Sequence, residues 1–418
     1  MQLTSLVTIK RKGVFQMAAG PLSGVKVVEY CDFISGPYCT KLLADLGAEV
    51  LKIERPEGDS ARKRGPFLHD DPDPELSGLF LYHNTNKKGV TLNLESATGR
   101  EIFKKLVSEA DILVEDTAPG TVEGLGLNYE ELKKLNPNLI MLSLTPFGQT
   151  GPYKDFKAYY LNIYHASGAG YVLPAASPNA DREPIKGGGY VGESDVGVYA
   201  AVSIMGALYW RNAGGTGQYI DVSKQEAMMC LERMNIVRYY MIGSSPSRVG
   251  VNRVRDTLLQ CKDGGYIIVV LYPQKQWEGI MKALGNPDWA NHAPFIEQKE
   301  RDKHFEEVKA HLREEALKYD TEELFFKIQA EGTACAPICS AEQVYNSPQT
   351  QARHFFTEID HPAAGKLEYP GLPYKLSTMT PTENFGAPLL GQHNEEIYTE
   401  RLGYSKDDLV RLKEAGVI

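Results

Sequence analysis

Two carboxylates, Glu193 and Asp195, stand in the stretch GGGYVGESDVG at residues 187–197, with five glycines around them and an apolar run directly beyond. An acidic side chain on such bare backbone can act as a nucleophile. Attack on a thioester would give a mixed anhydride and divide one difficult exchange into easier covalent steps. Neighbouring glycines let a substrate come close, and the N–H groups of Gly188, Gly189 and Gly192 can be aimed at an oxygen that gains charge. The same residues also suit a plainer role, because acidic side chains at the start of a helix over residues 196–212 interact favourably with its positive end. Spacing alone leaves both readings open.

Other chemistries find less support. The nine histidines are dispersed, and His165, in NIYHASG, is the one nearest the glycine segment. No GxSxG elbow, Walker loop or HExxH is present, and the first strand-to-helix turn, CDFISGPY, lacks GxGxxG, which argues against a dinucleotide. The six cysteines form no CxxC pair; Cys335 and Cys339 have no second pair to complete a zinc set, so reduced, mostly buried thiols and no metal are expected. Basic residues gather at Arg55, Arg62, Lys63 and Arg64 and again at Lys87 and Lys88. Of these, Arg55 closes the second predicted strand, where a doubly wound sheet binds its ligands; the others read as a solubilising surface.

The elements that must hold these groups alternate. VKVVEY (25–30), VLKIERP (50–56), GVTLNL (89–94), DILVED (111–116) and LIMLSL (139–144) read as strands. Amphipathic helices at 38–49, 99–110 and 129–137 separate them, which predicts a largely parallel α/β sheet. VGVYAAVSIMGALYWRN (196–212) reads as a buried helix, YIDVS as a short strand, and 226–243 as a helix leading away from the sheet domain. The mixed-charge stretch 299–330 has the pattern of solvated helical faces. At 418 residues the chain suits two domains. A net charge of −9 gives no general attraction to nucleic acid or anionic membranes, and the longest apolar run, YIIVVLY, is too short to span a bilayer, so a cytoplasmic location is expected.

Several blocks in order resemble the family III CoA-transferases, the group with formyl-CoA and carnitine CoA-transferases and the related α-methylacyl-CoA racemases. They are PLSGVKVVEYCDFISGPYCTKLLADLGAEVLKIERPEGD, NKKGVTLNL, LSLTPFGQTGPY, GGTGQYIDVSKQEAM and PLLGQHNEEIYTERLGYSKDDLVRLKEAGVI, so the likeness runs from Pro21 to Ile418. It implies a Rossmann-like large domain from both ends of the chain (21–225 and 335–418), a linker helix and smaller α+β domain (226–334), an N-terminal extension (1–20), and an interlocked dimer. The family's active carboxylate is an aspartate in Asp-x-x-x-Gly opening a helix. Gly197 fixes that register here and puts Glu193 in the aspartate's place, with Asp195 the weaker alternative. The likeness further implies CoA contacts at Ile34, Ser35, Arg55, Leu92, Asp116, Thr117, Ala118, Lys157, Ala158, Tyr159 and Tyr160. Glu95 and Gly124 stand where relatives often carry Lys and Arg, and Lys87, Lys88 or Arg62 are the candidate substitutes.

The expected activity is reversible transfer of CoA from an acyl-CoA to a free carboxylic acid through Glu193-bound anhydride and thioester intermediates, with CoA as substrate and no tightly bound cofactor. Acyl-CoA and an organic acid are the expected partners, with a homodimer or a heteromer with a related subunit. Two alternatives stand beside it. One is a non-catalytic subunit of a heteromeric transferase. The other is racemisation next to the thioester, for which Tyr159 occupies the place of the family's histidine and His165 comes six positions late. Tyr159, Tyr160, Tyr164, Tyr171 and Tyr190 near the presumed site suggest a bulky or aromatic acceptor, Lys186 and Arg182 are candidate holders of a second carboxylate, and family analogy suggests succinyl-CoA or another short acyl-CoA as donor.

Overall fold

The computed structural model describes residues 20–174, 182–230, 233–245, 256–379 and 384–418. The expected extension over 1–20 lies outside the described residues apart from Gly20. The chain forms two compact units: residues 1–173, 184–246 and 356–418 make the larger, and 174–183 with 247–355 the smaller.

The larger unit is built on six parallel strands: β1 (Lys26–Tyr30), β2 (Glu49–Glu54), β3 (Lys87–Thr91), β4 (Ile112–Glu115), β5 (Ile140–Thr145) and β6 (Tyr219–Ser223). Their order is β3-β2-β1-β4-β5-β6, so the direction of winding reverses between β1 and β4. In such a sheet the crevice at the reversal, beyond the carboxyl ends of the strands, is where a ligand fits. Alternate residues of each strand serve opposite faces. Val27, Val50, Ile112, Ile140 and Leu142 pack with α1 (Ser35–Asp45) and a long helix, Val191–Asn212, whereas Val28, Leu51, Leu113 and Met141 pack with α2 (Ala97–Ser108), α3 (Tyr129–Leu135) and the C-terminal segment.

That segment seals an edge. Gly89 N–H donates to His393 Nδ1 at 3.0 Å, His393 N–H returns to the Gly89 carbonyl at 2.9 Å, and the Tyr398 hydroxyl donates to the Thr91 carbonyl at 2.6 Å. Strand β3 would otherwise expose a row of unpaired amides.

The helix expected over 196–212 begins earlier, at Val191, and the single helix expected over 226–243 is present as Lys224–Met229 and Arg233–Ile242, with 231–232 outside the described residues. Both of the latter lie in the larger unit, which therefore runs past the boundary expected at 226. The boundary expected at 335 falls at Phe356, because Cys335–Pro337 hydrogen-bonds as a strand to Tyr266–Val270. Within the smaller unit this makes a three-stranded antiparallel sheet with Asp256–Gln260. Trp277, Ile280, Val308, Leu312 and Leu324 from its helices complete that unit's core. None of the cysteines is joined in a disulfide, and Cys230 and Cys339 are exposed rather than buried.

Beneath the crevice lies a buried ionic network. Lys52, wholly enclosed, pairs with Glu29 at 2.9 Å and Asp59 at 2.7 Å, and Lys87, equally enclosed, reaches Glu29 at 2.9 Å. Burial favours neutral Glu29, yet the two ammonium groups hold its pKa down to about 2; burial also draws Lys87 down to about 8. Between about pH 2 and 4.5 Glu29 stays ionised in the fold while an unfolded glutamate protonates, so its stabilisation is complete above about pH 4.5 and is lost as pH falls through 2. Replacing Lys52 by Met leaves two buried carboxylates without their shared cation, and should cost about 3–5 kcal/mol in urea unfolding at neutral pH. An unchanged midpoint would refute that assignment.

Candidate active site

Glu193 sits in the first turn of the 22-residue helix Val191–Asn212, hereafter α4, rather than on the glycine loop before it. The register follows from packing. A Cβ on Gly197 would come within 2.8 Å of the Ser35 carbonyl, and one on Gly192 within 3.0 Å of Met228 and Tyr160. Only glycine at both places lets α4 lie directly on α1 and on the helix Tyr160–Ala166. One turn before Gly197, Glu193 therefore points at the start of α1 and is 2% exposed.

Its carboxylate is held from two sides. The Ser35 hydroxyl donates a very short hydrogen bond to Oε2 and lies 3.0 Å from the Glu193 carbonyl. Lys224, the first residue of α5 (Lys224–Met229), places Nζ 2.8 Å from the same oxygen. Burial opposes the charge on Lys224, but Glu193 and Asp116 beside it raise its pKa above the ordinary lysine value, so the ammonium persists. Both contacts go to Oε2; among the described residues no hydrogen bond to Oε1 is seen. One oxygen is thus held by both donors.

The loop that delivers Ser35 is fixed in turn. Asp32 N–H donates to both oxygens of Asp116, at 2.9 and 3.1 Å, Ser60 N–H donates to Asp32 at 2.6 Å, and Phe33 N–H donates to Asp59 at 3.0 Å. Phe33 holds a left-handed φ of 71°, and its ring meets Tyr190 edge-on at 5.1 Å. For a bulky residue that backbone is costly and persists only where its surroundings impose it. Burial pushes the pKa of the Asp116 carboxyl well up, against the pull of Lys224, and that of the Cys31 thiol up as well.

A groove of about 540 Å³ opens at the reversal point, lined among others by Cys31, Asp32, Arg55, Lys63, Asp116 and Thr117. Its lining residues Cys31 and Asp116 are close enough to act on the Lys224 charge, while Glu193, Ser35 and Lys224 do not themselves line it. The sequence-expected groove residues divide accordingly. Arg55, Asp116, Thr117 and Ala118 line it. Ser35 is buried against Glu193 instead, Ile34 and Leu92 are enclosed in the core, and Tyr160 is buried with its hydroxyl 3.4 Å from Gly192 N–H. Lys157 is exposed, Ala158 is half-buried and Tyr159 is 84% exposed.

The oxyanion expectation changes too. Gly192 N–H is already directed at Tyr160, while Gly188 and Gly189 lie on an exposed turn whose Gly189 carbonyl accepts from Lys186 at 2.9 Å. Asp195 is half-buried, and burial pushes its pKa up, whereas Glu193 is the acid that meets the Lys224 ammonium. Of the suggested basic substitutes, Lys87 and Arg62 are consumed inside the protein. Lys87 pairs with Glu29, and Arg62 forks onto Glu54 at 2.7 and 2.8 Å and reaches Glu75 at 2.7 Å. Lys88 pairs with Glu396. Lys63 lines the groove in their place.

Sequence reasoning missed Lys224 and the part played by Ser35. No spacing rule connects position 224 with 193; the pairing exists because β6 ends at Ser223, whose hydroxyl accepts from Glu226 N–H at 3.2 Å and starts the next helix beside α4.

Comparison with known proteins bears on what this arrangement does. The sequence model of CoA-transferase family III matches residues 22–394. The chain is 32% identical over 405 residues to succinyl-CoA–D-citramalate CoA-transferase of Chloroflexus aurantiacus, covering 95% of this chain and 98% of that one. It is also 32% identical over 421 residues to formyl-CoA:oxalate CoA-transferase of Escherichia coli O157:H7, covering 94% and 98%. Among solved structures, a CaiB/BaiF family protein from Brucella suis superposes with a TM-score of 0.80 at 30% identity, over 91% of this chain and 99% of that one. Rv3272 from Mycobacterium tuberculosis does so with 0.76 at 26% identity, over 90% and 99%. With a match across nearly its whole length, the chain belongs to CoA-transferase family III and is a CoA-transferase.

Proposed function

We propose that the protein moves CoA reversibly from an acyl-CoA donor to a free carboxylic acid, with Glu193 as the nucleophile. The observation that carries this reading is a buried carboxylate fixed through Oε2 by Ser35 and Lys224, next to a groove at the sheet's reversal point.

Oε1 attacks the donor's thioester carbonyl, the C–S bond breaks, and a glutamyl anhydride and CoA thiolate result. The thiolate attacks the Glu193 carbonyl and expels the donor's acid as a carboxylate, leaving a glutamyl-CoA thioester. An incoming acid's carboxylate attacks that thioester, releasing the thiolate and forming a second anhydride. Thiolate attack on the acceptor's carbonyl then yields the new acyl-CoA and returns Glu193 as a carboxylate. No proton need be supplied, since each step exchanges one anion for another. The positive end of α4 and the Lys224 charge favour negative oxygens as they form. Arg55 and Lys63 are the groove's cations for the phosphates of CoA.

Incubation with succinyl-CoA, formyl-CoA or oxalyl-CoA, followed by borohydride or hydroxylamine and mass spectrometry, should mark Glu193 and not Asp195. Glu193→Gln should abolish the mark and lower turnover by roughly three orders of magnitude or more; full turnover in that variant would end this reading. Activity that needs a second, related chain would favour the non-catalytic subunit instead. Glu193→Asp draws the carboxylate back by about 1.5 Å, away from both Ser35 and Lys224, and should cost on the order of a hundredfold in kcat.

We also propose a homodimer. On the larger unit, Val202, Met205, Tyr209 and Trp210 of α4 and Tyr240 and Met241 of the helix Arg233–Ile242 present apolar side chains to solvent in the single chain. Apolar area on that scale marks an association surface. Sedimentation equilibrium should give twice the chain mass of 46.4 kDa, and a monomer at micromolar concentration would contradict it.

A further inference from the structure

We propose that Lys224 is the binding cation for the acid that accepts CoA, made available each time Glu193 is acylated. The inference rests on Glu193 as nucleophile and adds what the reacting acid meets.

Charge balance at Lys224 drives the exchange. In the resting site its ammonium is 14% exposed and its ion-pair partner is the Glu193 carboxylate at 2.8 Å. Asp116 is the other acid close enough to act on it, together with the Cys31 thiol. Both are engaged elsewhere: Asp116 accepts the Asp32 N–H through both oxygens, and the Cys31 thiol donates to the Val114 carbonyl at 3.4 Å. When Glu193 becomes a thioester it carries no charge. A largely buried ammonium is then left without its counter-ion, a state that is strongly unfavourable unless another anion arrives. The anion the reaction requires at that moment is a carboxylate, and it must come within bonding distance of the Glu193 carbonyl.

An oxygen paired with Lys224 satisfies that requirement, because the ammonium already lies against the carboxyl group that becomes the carbonyl under attack. The same place receives the donor's acid as it is expelled from the first anhydride. Leaving and entering acids thus share one cation, and the site alternates between Glu193 and a substrate as the partner of Lys224. A protonated Lys224 also cannot add to the thioester beside it, since an ammonium has no lone pair; the arriving carboxylate preserves that protonation.

The test separates the two half-reactions, using whichever of succinyl-CoA, formyl-CoA and oxalyl-CoA marks wild-type Glu193 fastest, with its own acid carrying ¹³C as acceptor. In Lys224→Met and Lys224→Gln the glutamyl-CoA adduct should still form, while KM for the labelled acid in the exchange rises by about tenfold to a hundredfold, the loss of one charge-assisted hydrogen bond. Lys224→Arg should recover most of that loss. An acid KM within about threefold of wild type in both neutral variants, with the adduct present, overturns the proposal, since a lost charge-assisted contact costs more than that. So does loss of the adduct in both folded variants, which would make Lys224 a positioning residue for Glu193 alone. Failure of wild-type Glu193 to be marked by any of the three thioesters would instead reject Glu193 as nucleophile.

Discussion

The close crossing of α1 and α4 is the constraint on which the site depends. Gly197 leaves no room for a Cβ against the Ser35 carbonyl, so the helices meet at backbone distance. That contact brings an N-terminal turn of each helix to the same point. Ser35 opens α1 and Glu193 lies in the first turn of α4, so a hydroxyl and a carboxylate converge at the positive ends of two helix dipoles. A wider crossing would let water between them, and the anchored oxygen would lose its fixed position.

The crossing needs a rigid support, which the ionic network provides. Lys52 binds Glu29 on β1 and Asp59 beyond β2, and donates as well to the Cys31 carbonyl at 3.1 Å. Asp59 in turn receives Phe33 N–H, so one buried ammonium ties the ends of two strands to the loop leading into α1. Charges enclosed in this manner are weak contributors to net stability, since desolvation offsets most of their attraction. Their effect is geometric: each carboxylate has one arrangement that satisfies it, and the loop bearing Cys31, Asp32 and Phe33 inherits it.

Much of this was legible in the sequence, and the limits have physical causes. Strands with β-branched runs and helices with apolar periodicity announce themselves locally, so β1 to β5 and the α/β alternation could be read directly. The glycines announced close approach near 187–197, and Gly197 set the register that singles out Glu193. The start of α4 was misplaced because Val191-Gly192-Glu193-Ser194 has poor helix propensity and is held helical by packing on Tyr160, Met228 and α1. Basic residues were the least legible. Arg62, Lys63, Lys87 and Lys88 look alike in composition, but two lie buried against glutamates, one is on the surface with Glu396 and one lines the groove. Only the fold decides which cation faces an internal acid and which a ligand.

The pairing of Glu193 with Lys224 raises a question of nucleophilicity that the geometry answers. A carboxylate bound to an ammonium and a hydroxyl is a weaker base than a free one, so holding it in this way should by itself slow attack. Both donors take Oε2, however. If Glu193 is the nucleophile proposed above, the donors sit on the oxygen that does not attack, and the freedom surrendered by the side chain is freedom it would have to lose on reaching the transition state. The longer glutamate makes that restraint more necessary than it would be for a shorter acid, since each added rotatable bond multiplies the orientations available to the carboxylate. A lysine and a serine gripping one oxygen reduce them to one, and in the proposed reaction the lysine charge is released only when Glu193 has given up its own.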